Sequence, residues 1–95
     1  MSDLSLELRQ LRRDVREVLL NEWDPIGVVM LGPSAEDEYD DYVPGVAALV
    51  AHRASKETIF EYLWKIETDT MGLPGNRQKT ESIAKRLVQM EKAAA

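Results

Sequence analysis

Five carboxylates stand within six residues at Glu36-Asp37-Glu38-Tyr39-Asp40-Asp41, the most unusual feature of the chain. Carboxylate oxygens are the ligands that hard divalent cations take. On a helix, Asp37 and Asp41 share a face, and so do Glu36 and Asp40, because residues four apart are neighbours. A calcium loop instead needs ligands at alternate positions, an internal glycine and a distal glutamate, and this segment lacks that spacing. Acidic residues also stabilise the positive end of a helix. The first expectation is therefore a helix start, the second a surface for a basic protein, and the third a metal site. No metal and no other cofactor is assigned.

His52 is the only histidine. A catalytic base needs a nucleophile or carboxylate placed beside it, and the sequence marks no such partner. Its expected role is structural or at the surface, near the end of the second helix. Cysteine is absent, which removes disulfides, thiol catalysis and cysteine zinc sites. No glycine-rich phosphate loop, His-Glu-x-x-His pattern or nucleophile elbow occurs. These readings predict a protein that is not an enzyme.

Arg9, Arg12, Arg13 and Arg16 flank one side of the first helix, and Asp3, Glu7, Asp14 and Glu17 the other. The arginines are read as a solvated flank, or as a flank that meets an acidic part of the same chain. Contact with RNA or an acidic partner is the functional alternative. The net charge of −5 disfavours a sequence-independent nucleic-acid binder and permits a basic protein partner.

Trp23, Tyr39, Tyr42, Tyr62 and Trp64 are the large amphipathic aromatics. In a chain of 95 residues most of them are expected in the core, with the polar tip finding a partner. Exposed beside the acidic cluster, they would instead make a protein-binding patch. That candidate site consists of Trp23, Glu36, Asp37, Glu38, Tyr39, Asp40 and Tyr42.

The elements that must position these groups are helical. Leu4, Leu8, Leu11, Val15, Val18 and Leu19 repeat along one helical face. That helix should stop near Trp23, because Pro25 disfavours helical geometry at Asp24. Asp24-Pro25-Ile26-Gly27 matches a type I turn, and Val28 to Leu31 reads as an apolar connector. Ser34 is expected to cap a second helix that turns Tyr39, Tyr42, Val43, Val46, Leu49 and Val50 inward and kinks at Pro44. Ser55 caps a third helix with a stripe of Ile59, Phe60, Leu63 and Ile66, and Gly72 stops it. Asn76 caps a fourth, carrying Ile83, Leu87 and Met90. Residues 1–92 form one domain and 93–95 a frayed tail. No segment reaches the roughly 20 apolar residues of a membrane span or reads as a signal peptide, so a cytoplasmic, non-membrane protein is expected. The fold class is all-α, a bundle of about four helices.

Two stretches carry a resemblance. Leu20-Asn21-Glu22-Trp23-Asp24-Pro25-Ile26-Gly27-Val28, followed by Asp37-Glu38-Tyr39-Asp40-Asp41-Tyr42, resembles the YugE-like family of small bacterial proteins. Tyr62-Leu63, Ile66-Glu67 and Met71-Gly72-Leu73 agree with it. The resemblance implies a compact helical fold of similar length and adds no activity. Glu38 and Asp40 are the matched positions that turns and caps explain least. The function expected is a non-enzymatic interaction module presenting an acidic-aromatic surface to a basic protein. The alternatives are a toxin-neutralising immunity-type protein, a carboxylate-based metal protein or enzyme, and a structural homo-oligomer joined through leftover apolar surface, with Leu6 the residue to watch.

Overall fold

The apolar stripes of four helices close on one another around Trp23, Leu19, Val46, Ile59, Leu63 and Leu87, all of them buried. The computed structural model describes residues 2–27 and 39–94, with the side chains of 6–27 and 39–90. The expected connector at Val28 to Leu31 and the Ser34 cap lie outside the described residues.

Helix α1 spans Ser2–Glu17. It continues without a break into a π-helical turn, Val18–Trp23, that ends on a left-handed Asp24. The turn at Asp24-Pro25-Ile26-Gly27 forms as expected, the Gly27 N–H donating to the Asp24 carbonyl at 3.2 Å. The stripe of α1 is only partly covered. Val15, Val18 and Leu19 are buried, but Leu8 is 39% exposed, and Leu6, which stands off the stripe, is 57% exposed. Helix α2, Val43–Ala51, is the helix that packs along α1. Its 9 residues against the 16 of α1 amount to about 14 Å against about 24 Å. Leu8 therefore points the right way but runs past its neighbour.

The kink expected at Pro44 takes a different form. A 3₁₀ turn at Asp40–Tyr42 runs straight into α2, and Pro44 sits in the first turn of that helix. Proline has no N–H to give the carbonyl four residues back. The Asp40 carbonyl accepts the Val43 N–H instead, which tightens that turn. Helix α2 ends at a left-handed Arg53. There the Ala54 N–H reaches the Leu49 carbonyl at 2.9 Å, and the Arg53 N–H reaches Val50 at 3.0 Å, the paired bonds of a Schellman end.

Helix α3 spans Lys56–Lys65 and continues as a π-helical turn, Ile66–Thr70. Ser55 caps it, its hydroxyl accepting the Thr58 N–H at 3.1 Å. Helix α4 spans Arg77–Ala94, capped by the Asn76 side chain on the Lys79 N–H at 3.1 Å. It runs two residues into the tail expected to fray at Ala93, in keeping with alanine's helix propensity. The α3–α4 and α1–α2 pairs form the main contacts, and the end of α1 packs on α4. Among the described residues no strand occurs, and no helix is long and apolar enough to cross a membrane.

The loop into α4 is held by Gly75. Its φ is +87°, and a Cβ there would lie 2.6 Å from Cη2 and 2.9 Å from Cζ3 of Trp64. That indole stacks on Phe60 with centroids 5.7 Å apart, and the Arg77 guanidinium lies 5.0 Å above the Phe60 ring. Gly75→Ala is expected to lower stability by about 2 kcal/mol, from left-handed strain and overlap together. Urea unfolding followed by circular dichroism checks this, and an unchanged midpoint would contradict the close approach.

Candidate functional site

The turn after α1 and Tyr39 meet in space. Trp23 and Tyr39 pack ring on ring, centroids 5.6 Å apart and planes at 46°. The Tyr39 hydroxyl donates to Asp24 Oδ1 at 2.7 Å and accepts the Ile26 N–H at 3.0 Å. The same Asp24 oxygen accepts the Gly27 N–H at 3.0 Å. The phenol thus clasps the turn after α1.

On its other edge Trp23 joins a second polar chain. Its Nε1–H donates to the Thr80 hydroxyl at 3.3 Å. Thr80 in turn donates to Glu67 Oε1 through a short contact, and Glu67 Oε2 accepts the Asn76 N–H at 2.7 Å. Glu67 and Thr80 are buried, at 3% and 1% exposure. Among the described residues no buried side-chain nitrogen or oxygen lacks a partner. This chain ties α1, the end of α3 and the start of α4 together, and the sequence reading missed it. A signal was present: Glu67 lies four residues past Leu63, and Thr80 four before Ala84, so each is a polar residue on an apolar stripe.

These contacts correct the acidic-aromatic surface. Trp23 is 0% exposed and Tyr39 1%, so neither offers a face to a partner. Burial of the rings is favoured because both polar tips are satisfied inside the fold. Tyr42 is partly buried against the core. Asp40 is half-exposed and ion-paired, its Oδ1 lying 2.7 Å from Arg16 Nε. Asp41 is exposed. Glu36, Asp37 and Glu38 lie outside the described residues. His52 is exposed at the end of α2, and among the described residues no three His, Asp or Glu side chains converge as metal ligands.

The Arg16–Asp40 pair forms one wall of an open groove of about 490 Å³ between α1 and the start of α2. Among the described residues Arg12, Arg13, Val43 and Pro44 also line it. Arg12 and Arg13 are both exposed. Among the described residues neither has an ion pair.

No family model, curated protein or solved structure matches the chain. The likeness to the YugE-like family accordingly stays a likeness of motifs.

The clasp makes a prediction of its own. Tyr39→Phe keeps the ring but leaves the Ile26 N–H without its acceptor and Asp24 without one donor. The expected loss is about 1–3 kcal/mol, read as a lower urea midpoint at unchanged slope. A loss under about 0.5 kcal/mol would show that water replaces the phenol at little cost.

Proposed function

We propose that the chain is a non-enzymatic protein-interaction module whose contact face runs along the seam between α1 and α2. The observation that carries this reading is the pair Arg12 and Arg13, exposed at the rim of a groove and without an ion pair among the described residues. Buried polar side chains are by contrast consumed by the fold itself, in the Trp23–Thr80–Glu67 chain and the Asp24–Tyr39 clasp. The acidic version of the module, directed at a basic partner, has less support. Its aromatics are core, and Asp40 is engaged by Arg16. An affinity pull-down from native extract tests the reading, with wild type beside Arg12→Glu, Arg13→Glu and beside Asp41→Lys, all matched for helicity. A partner lost only with the arginine pair supports the seam. A partner lost only with Asp41→Lys returns the site to the acidic side.

Self-association through the first turns of α1 is the second reading, favoured by Leu6 and Leu8 at 57% and 39% exposure. Sedimentation over a hundredfold range of concentration decides it. The expected result for this reading is a dimer that either Leu6→Ser or Leu8→Ser converts to monomer, since residues two apart stand on different faces of the helix and only one of them can lie in the seam. A mass independent of concentration removes it.

A further inference from the structure

We infer that the groove between α1 and the start of α2 takes an acidic polypeptide segment, its carboxylates seated on Arg12 and Arg13 and an apolar side chain resting on Pro44. This deepens, and rests on, the reading of the chain as a protein-interaction module. The first argument is charge. Among the described residues the lining holds three arginines and one aspartate, a net charge of +2, in a chain whose total is −5. A cationic site on an acidic protein attracts anions locally while the rest of the surface repels long polyanions. That balance selects a short acidic stretch over a nucleic acid, whose phosphates continue well beyond any one groove.

The second argument is how the side chains are held. Asp40 is matched by Arg16 at 2.7 Å, so the groove's own carboxylate is already engaged. The pair also fixes the 3₁₀ turn against α1 and with it the position of Val43 and Pro44. Arg12 and Arg13 have no ion pair among the described residues, and their planar donor set suits carboxylates bidentately. The third argument is the floor. Pro44 is exposed at the start of α2 and has no N–H to offer, so it presents apolar surface between the charged walls. An alternation of carboxylate and apolar side chains therefore fits the lining better than an unbroken acidic run.

The probe is a fluorescein-labelled ten-residue peptide alternating glutamate and leucine, followed by anisotropy at low salt against the full chain. Expected are saturable binding, a loss of about tenfold or more in Arg12→Gln, Arg13→Gln, and affinity within about twofold of wild type in Arg9→Gln, which lies outside the groove. The all-glutamine analogue of the peptide should bind at least about tenfold more weakly. Equal binding of that analogue would overturn the inference, because charge would not be the determinant. Tighter binding of a ten-nucleotide single-stranded RNA would overturn it in favour of phosphate recognition. Tighter peptide binding by Glu36→Gln, Asp37→Asn, Glu38→Gln would also overturn it, because the chain's own acidic run would then be the occupant. If the peptide fails while a native partner is still lost with the arginine pair, the inference falls and the module reading stands. If neither binds, both fall.

Discussion

Replacing Trp23 with alanine is expected to lower the unfolding free energy by about 3–5 kcal/mol, the range for emptying a large buried aromatic site. Trp23 is fully enclosed, lies against Tyr39 and donates to Thr80, so the substitution removes packing on one edge and a hydrogen bond on the other. A domain of 95 residues has about 5–14 kcal/mol in total at the usual stability per residue, so the substitution removes from about a fifth to all of it. Trp23→Phe separates the two contributions. It keeps an aromatic ring against Tyr39 and gives up only the indole N–H and some volume, for an expected cost of about 1–2 kcal/mol. Urea unfolding of both variants is the measurement. A Trp23→Ala loss no greater than that of Tyr62→Ala, which truncates an exposed ring, would contradict the central position of the indole.

Glu67→Ala is the second large effect, expected at about 3 kcal/mol. The alanine withdraws both acceptors at once, leaving the buried Thr80 hydroxyl proton and the part-buried Asn76 N–H without their acceptors, at up to about 1–3 kcal/mol each. Glu67→Gln should cost about 1 kcal/mol. Its amide oxygen can still accept from Asn76 and its amide nitrogen can donate to Thr80, which then gives up its own donor. A double-mutant cycle with Thr80→Val completes the test, because residues that share one network are coupled rather than additive. Additive losses would mean that Glu67 and Thr80 do not act through one another.

The features legible in the sequence are those decided over a few residues. Ser55 and Asn76 cap where they should because a cap needs only a side chain and an N–H three residues on. The turn at Asp24 and the left-handed stop at Gly72 are similarly local. What escaped was set by distance along the chain. Trp23 and Thr80 are 57 positions apart, and Glu67 and Thr80 13, so their contact depends on how three helices cross. Leu8 shows a different limit: periodicity assigns a residue to a face but carries no information on the length of the helix that covers it. For the candidate site, the sequence raised internal pairing of the arginine flank with the acidic cluster, and Arg16–Asp40 is such a pair. It did not point to the groove beside it, because that groove is made by where the start of α2 lands on α1.

The two π-helical turns bear on how this chain can be edited. Each closes rings from residue i to i+5, the Asp24 N–H on Leu19 and the Met71 N–H on Ile66, and so holds an extra residue relative to an ordinary α turn. Removing one residue from Asn21 to Glu22 would turn the wide ring into an ordinary α turn with its backbone bonds re-formed, and would leave everything beyond it at nearly the same angle, because the wide turn fits one more residue into about the same arc. Trp23 would keep its side toward Thr80 and the Asp24 turn its side toward Tyr39. A deletion that would exchange inside for outside in a regular α-helix is absorbed here, so these two points are where the count of residues can fall by one with the packing beyond them kept.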